Sequence, residues 1–184
     1  MIVRFATSAD APGILTIYAP YITQSIVTFE YEVPTEAEFA ERIQIIQQQF
    51  PYLVAEEDGR VLGYAYASRH RDRIAYQWSA ETSVYIHPDS HRLGIARQLY
   101  TTLFQLLRWQ GYYNAYAGIT MPNPKSEAFH RSMGFEPVGV YTNIGYKLGA
   151  WHSVAWYQLT VQPYSTNPVP PVSITTYKGD LSMT

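Results

Sequence analysis

The run from Glu81 to Arg97, ETSVYIHPDSHRLGIAR, joins a carboxylate, a strand pattern and an anion-binding turn in one short stretch. ETSVYI is rich in β-branched and aromatic types, which reads as a strand. Pro88, Asp89 and Ser90 break it, and a helical pattern then runs from Leu93 to Gln110. Between the two lies Arg92-Leu93-Gly94-Ile95-Ala96, with small residues where a backbone has to approach a ligand closely. A turn feeding a helix N-terminus presents unpaired N–H groups, and the helix dipole favours negative charge there. The chemistry on offer is a pyrophosphate cradle flanked by Arg92 and Arg97. A lone glycine before a helix also serves any plain turn, so the loop by itself is a weak signal.

Two nucleotide-binding alternatives fail on the sequence. A Walker loop needs Gly-Lys-Ser/Thr, which occurs nowhere in the chain. A dinucleotide fingerprint needs three spaced glycines, and this loop has only Gly94. The loop resembles motif A of the GNAT acyltransferases, whose Q/R-x-x-G-x-G/A run binds the pyrophosphate of coenzyme A. Here it reads His91-Arg92-Leu93-Gly94-Ile95-Ala96, with His91 in place of Gln or Arg. That departure costs little if main-chain N–H groups make the cradle. A second motif follows at the family's spacing: Asn123-Pro-Lys-Ser126-Glu-Ala-Phe-His130, ending in Gly134-Phe135. It resembles N-x-x-[A/S]-x-x-x-Y followed by G-F, with His130 replacing the usual Tyr. Two motifs in the right order identify the chain as a member of this family.

Composition sets the outer bounds. The 184 residues are enough for one domain with a real core. A net charge of −2 argues against a nucleic-acid binder, whose footprint is basic. With no cysteine there is no disulfide framework, thiolate nucleophile or Cys-based zinc site, and no metal is expected. No signal peptide or long apolar run is present, so the expectation is a soluble cytoplasmic protein with no membrane partner.

The elements that must position these residues alternate between helix and strand. Ile2 to Ala6 reads as a strand, and Thr7 or Ser8 can cap a helix running to about Gln24. Thr35-x-x-Glu38 has capping-box spacing ahead of a second helix reaching Gln49. Tyr52 to Glu56 and Val61 to Ser68 flank a turn at Asp58-Gly59 and form a hairpin. In the third helix Ile95, Leu99, Leu103 and Leu106 share one apolar face. A strand over Tyr112–Ile119, a helix carrying Ser126 to Met133, and strands near Val138–Lys147 and Trp151–Val161 complete the order. The pattern is mixed α/β (α+β). The resemblance implies the GNAT fold, a central mixed, mostly antiparallel twisted sheet flanked by helices. A single domain is expected over residues 1–161, followed by a Pro/Ser/Thr-rich tail over 162–184.

Five further runs narrow the resemblance: Tyr52–Glu56, Gly63–Ala67, Tyr76–Glu81, Leu99–Thr101 and Gly149–His152. They are similar to the phosphinothricin and methionine sulfoximine N-acetyltransferases, and the likeness extends from Arg4 to Leu159. That branch acetylates the α-amine of small glutamate-like amino acids from acetyl-CoA. An ammonium must lose a proton before its nitrogen attacks a thioester, and Glu81 is the candidate general base. The pantetheine is expected along Val84-Tyr85-Ile86, with main-chain N–H groups of Tyr85 and Ile86 serving the developing oxyanion if the strand bulges there. Cofactor contacts are expected from Arg92, Leu93, Gly94, Ile95, Ala96 and Arg97, and from the side chains of Asn123 and Ser126. His130 either protonates the departing thiolate or orients the amine. Arg71 and Arg73 offer planar forks for the substrate's anionic ends, and Phe29 and Tyr76 line its pocket. Tyr100 is open between cofactor contact and packing. The 17 tyrosines fit a core or an interface, and the resemblance implies a homodimer. A protein or peptide N-acetyltransferase and a non-catalytic CoA-binding dimer are the competing readings.

Overall fold

The computed structural model describes residues 1–179 and Leu181. Its strands are β1 (Ile2–Phe5), β2 (Tyr52–Glu57), β3 (Arg60–Arg69), β4 (Ser79–Ile86), β5 (Asn114–Thr120), β6 (Glu136–Lys147) and β7 (Ala150–Thr160). Its helices are α1 (Ala11–Gln24), α2 (Glu36–Gln47), α3 (Ile95–Gln110) and α4 (Pro124–Ser132). One seven-stranded sheet runs in the order β1-β2-β3-β4-β5-β7-β6. Every neighbouring pair is antiparallel except β4 with β5, so the mixed, mostly antiparallel sheet expected from the sequence is the one observed.

Local chemistry explains most boundaries. Asp58 and Gly59 both take positive φ, 50° and 77°, as the two-residue β2–β3 turn requires. The capping box forms as spaced: Glu38 N–H donates to Thr35 Oγ1 at 3.2 Å, and Thr35 N–H to Glu38 Oε2 at 2.7 Å. Helix α3 starts at Ile95, later than the expected Leu93, because Arg92 and Gly94 have positive φ and cannot lie in a right-handed turn. At its far end Gly111 adopts φ 94°, and the N–H groups of Gly111 and Tyr112 close onto Arg108 and Leu107. That closure delays β5 to Asn114, two residues past the expected Tyr112.

The sheet has two packed faces. On one, α3 lays Ile95, Leu99, Leu103 and Leu106 over Ala55, Ala65, Ala67 and Ala80, where small residues admit the helix closely. On the other, α1 and α2 cover Tyr52, Val54 and Tyr64. Much of the tyrosine surplus stands here as a ladder: Tyr52 against Tyr66 at 4.9 Å, and Tyr64 against Tyr85 at 5.2 Å. Beyond Val161 the chain runs extended across the end of α3. Trp78 donates its indole N–H to Val169 O at 2.7 Å, Ile174 is buried, and Tyr177 meets the Trp109 ring edge-on at 4.9 Å.

Gln110 fastens this segment. It is 2% exposed, and its Nε2 donates to Gln49 O at 2.6 Å and to Val172 O at 2.7 Å. Replacing Gln110 with Leu removes both bonds and leaves Gln49 O to the Ile174 N–H and Val172 O to a longer contact with Gln49 Nε2. The expected cost is about 1–3 kcal/mol, read as a lower urea midpoint, with Ser173→Ala as a milder comparison.

Candidate active site

The strands that carry the site part company. β4 and β5 pair only at Ser79–Asn114, Ala80–Ala115 and Glu81–Tyr116. Thr82 Oγ1 then donates to Tyr116 O at 3.2 Å, and past it the two strands have no ladder between them. β4 stays paired to β3 as far as Ile86, and β5 to β7 as far as Thr120. The open wedge leads to a cavity of about 640 Å³ lined by Val84, Tyr85, Ile86, the 90–97 loop, Asn123, Ser126 and His130. Two separate stretches of sequence thus converge on one hollow.

The turn after β4 is built for close approach. Gly94 adopts φ 79° at the start of α3, and a Cβ placed there would meet nothing within 4 Å. The first N–H groups of the helix therefore border open space, the arrangement that binds phosphate oxygens. His91 Nε2–H donates to Ile86 O at 3.2 Å, so this residue braces the loop. Arg97 reaches away to Ser132 Oγ at 2.9 Å, tying α3 to the end of α4, and Leu93 is two-thirds exposed. The bulge on which the expected oxyanion donors depended is absent. β4 keeps an unbroken register with β3 from Ala80 to Ile86, and the sheet's irregularities lie on β2 and β6. What opens the Tyr85–Ile86 segment is the parting of β4 from β5.

Glu81 stands at the apex of the wedge, on the last paired rung of β4. Burial pushes its carboxyl up, and His70 and Arg71 pull it back toward the ionised form. His70 Nδ1 is 3.5 Å from Glu81 Oε2, and its ring stacks on Tyr116 at 4.3 Å. The sequence offered no sign of His70, because its contact partners come from β4, β5 and β7.

His130 and Tyr100 form a buried pair. Nδ1–H of His130 donates to Ser126 O at 2.8 Å, which leaves Nε2 to accept the Tyr100 hydroxyl at 3.2 Å. Burial lowers the His130 imidazole and raises the Tyr100 phenol, so both are neutral. Tyr100 packs on the buried face of α3 and lines a small cleft of about 60 Å³ between β4 and β5, which it shares with His130. A phenol within a helical apolar stripe that needs a polar partner was the one signal available for it. Asn123 caps α4, its Oδ1 accepting from Ser126 N–H at 3.2 Å.

The expected substrate residues are more scattered. Arg71 hydrogen-bonds Tyr141 Oη at 3.1 Å and is close enough for its charge to act on Glu81. Arg73 and Tyr76 line a smaller hollow of about 180 Å³ together with Arg69, Arg71 and Pro171. Phe29 lies over the β6–β7 hairpin, stacked on His152 at 6.4 Å. A side chain at Gly145 would collide with its ring at 2.5 Å. Lys147, 2% exposed, donates to Thr28 O at 2.6 Å and pins the segment carrying Phe29.

This geometry matches a known family. The profile described as "Acetyltransferase (GNAT) domain" matches residues 3–156. The chain belongs to the GNAT acetyltransferase family. It is 37% identical to phosphinothricin N-acetyltransferase of Streptomyces viridochromogenes over 172 residues, 93% of this chain and 94% of that one. It is 33% identical to the L-methionine sulfoximine/L-methionine sulfone acetyltransferase of Pseudomonas paraeruginosa, covering 90% and 98% of the two chains. Among solved structures, a phosphinothricin acetyltransferase from Sinorhizobium meliloti in complex with acetyl-CoA superposes with a TM-score of 0.87 at 35% identity, over 95% and 96% of the chains. The protein is an acetyltransferase enzyme.

The buried imidazole gives a test of this geometry in the absence of any substrate. Below about pH 6.5 the unfolded chain binds a proton that folded His130 refuses, so its contribution to stability is present above that pH and lost as pH falls. Urea unfolding at pH 7.5, 6.5 and 5.5 should show wild-type stability falling across the lower interval. In His130→Gln that slope should be shallower by up to about 1.4 kcal/mol per pH unit, the limit for one proton. Equal slopes in the two proteins would mean that His130 titrates freely.

Proposed function

We propose that this enzyme transfers the acetyl group of acetyl-CoA to the α-amine of a small glutamate-like amino acid, such as phosphinothricin, methionine sulfoximine or methionine sulfone. The observation that carries the reading is the position of Glu81, a partly buried carboxylate at the apex of a wedge whose other end is an anion-binding turn. The relatives' substrates support the acceptor class. The acetyl-CoA complex of the solved relative supports the donor.

Each residue then has a task. The N–H groups of residues 94–97 hold the pyrophosphate, with Arg92 beside them. The free edge of β4 at Val84–Ile86 holds the pantetheine arm, and Asn123 and Ser126 shape the opposite wall. The acetyl thioester supplies the electrophilic carbonyl. Glu81 takes the proton from the substrate ammonium, directly or through one water, which frees the nitrogen lone pair for attack. A carboxyl raised by burial is a stronger base than a solvated one. His130 acts by fixing the Tyr100 hydroxyl, because its own nitrogens are engaged. As the tetrahedral intermediate collapses, the proton lost by the nitrogen is balanced by one that the departing thiolate takes from water in the cavity. Arg71 and Arg73 take the substrate's anionic ends, and Phe29 and Tyr76 close its apolar sides. The exposed row Val138, Val140, Tyr141, Ile144 and Trp151 on the outer hairpin supports a homodimer in solution, to be read by sedimentation.

A thiol-release assay across free amino acids, peptides and buffer alone tests the substrate class. Phosphinothricin and methionine sulfoximine should be acetylated. If both are inert while a peptide amine reacts efficiently, the protein acetyltransferase reading replaces this one. Glu81→Gln should lower turnover by roughly 10²–10⁴-fold with acetyl-CoA affinity nearly unchanged. Near-native turnover would return Glu81 to a structural role. Gly94→Glu places bulk and negative charge in the cradle and strains a positive-φ site, so calorimetry should detect no acetyl-CoA binding while the fold persists.

A further inference from the structure

Beside Glu81 lies a histidine with no role in the mechanism above. His70 follows β3 directly and is held as a plate: its ring stacks on Tyr116 of β5 at 4.3 Å and 9°, and meets Trp156 of β7 edge-on at 5.6 Å. Such a sandwich fixes the direction of both ring nitrogens. Nδ1 is sealed from solvent, has no hydrogen-bond partner among the described residues, and lies 3.5 Å from Glu81 Oε2. The side chain is 13% exposed, against 37% for Glu81. A buried nitrogen without a partner is costly unless it acquires one, and the carboxylate is the acceptor within reach.

We propose that His70 is the positioning partner of Glu81: its Nδ1–H donates to Oε2, holds the carboxylate in one rotamer and leaves Oε1 to accept the proton of the substrate ammonium. The proposal rests on Glu81 being the base. At 3.5 Å the pair is longer than a hydrogen bond, and a small rotation of the Glu81 side chain closes it, as catalytic hydrogen bonds tighten on substrate binding. The tautomer follows from the surroundings. An imidazole protonated on Nδ1 satisfies its buried nitrogen, whereas one protonated only on Nε2 turns a lone pair toward a carboxylate.

Other groups around the pair do not take over this task. Arg71 acts on Glu81 through its charge, from a guanidinium bonded to Tyr141. Ser68 stands opposite Glu81 on β3, and Tyr116 beside it on β5 is occupied in the ring stack. Tyr66, the next ring on that face, feels the Glu81 charge while its hydroxyl turns to Ser83. Trp156 Nε1 is a second buried donor without a partner among the described residues, on the ring that closes the same corner.

Two substitutions separate the nitrogen from the ring. His70→Phe keeps a ring for stacking and removes the donor. His70→Asn removes the ring and sets an amide N–H where Nδ1 stood. With phosphinothricin or methionine sulfoximine at saturating acetyl-CoA, His70→Phe should lose roughly 10-fold in kcat with KM little changed, the effect of one charge-assisted hydrogen bond. The acid limb of its kcat/KM profile should move up by about one pH unit, because Glu81 is then harder to ionise. His70→Asn should restore most of both. An unmoved acid limb in His70→Phe, or His70→Asn behaving like His70→Phe, overturns the proposal. Should His70→Phe fail to fold, the ¹⁵N spectrum of the wild-type imidazole decides, with His70 identified by its absence in His70→Asn: an Nδ1–H tautomer supports the pair and an Nε2–H tautomer ends it. Glu81→Gln run alongside separates the two levels. An active Glu81→Gln removes the base and the partnership together. An inactive Glu81→Gln with an unmoved limb in His70→Phe removes the partnership alone.

Discussion

Everything in the site depends on a parallel ladder that stops after three rungs. β4 keeps its antiparallel partner β3 from Ala80 to Ile86, and β5 keeps β7 from Asn114 to Thr120. Each strand is therefore held along its outer edge, and the wedge between them is stable without being filled by backbone. The price is a run of main-chain donors and acceptors with no ladder, which seek a partner in water or in a ligand. Thr82 shows where the change happens. Its hydroxyl takes the Tyr116 carbonyl, a side chain doing what the next backbone rung would have done. An extended ligand arm carrying amide groups matches such an edge because it restores the missing pairing.

Around that wedge, burial acts in opposite senses on two titratable groups. It lifts Glu81 toward a value at which it accepts a proton, and it lowers His130 so that the imidazole is neutral. The difference lies in the company each has. Glu81 faces His70 and Arg71 and retains some solvent contact, so its charged form is supported. His130 is surrounded by Tyr100, Phe129 and Phe135, with one carbonyl and one phenol for its nitrogens. A charged imidazole there lacks a counter-ion. The site thus sets a base whose charged form is supported beside a hydrogen-bonded pair held neutral.

The sequence made the local parts legible and left the long-range ones obscure. The strand–turn–helix unit around Gly94, the Thr35–Glu38 box and the Asp58-Gly59 turn are set by residues within four positions of one another, so they can be read from the string. A positive φ moved the boundaries at both ends of α3, through Arg92, Gly94 and Gly111, while α1, α2 and β6 shifted by two or three residues without one. Two features were invisible and a third, the role of Tyr100, was left open for one shared reason, namely that each is made by residues distant in sequence. The wedge stands where a bulge was expected, with β4 staying on β3 and β5 on β7. His70 matters through Glu81, Tyr116 and Trp156, on three different strands. Tyr100 gains its meaning from His130, thirty positions along. Family resemblance supplied Glu81 and the Asn123–His130 motif, but not how His130 is engaged, which only the ring's two hydrogen bonds disclose.

The period of a strand explains how one element serves both the core and the chemistry. Opposite residues in the β3–β4 ladder share a face, and they sort cleanly. Ala67 with Thr82 and Ala65 with Val84 point toward α3, while Ser68 with Glu81, Tyr66 with Ser83 and Tyr64 with Tyr85 point to the other side. The alanines bring α3 close enough that its N-terminus stands at the end of the same strand whose opposite face carries the base. Enlarging those alanines would push the helix, and with it the Gly94 turn, away from the wedge without touching Glu81. A slip of one residue in β4 would exchange the faces, burying Glu81 under α3 and exposing Thr82 and Val84. The apolar packing of α3 is thus what fixes the distance between the turn and the carboxylate, and core and site are constrained by the same register.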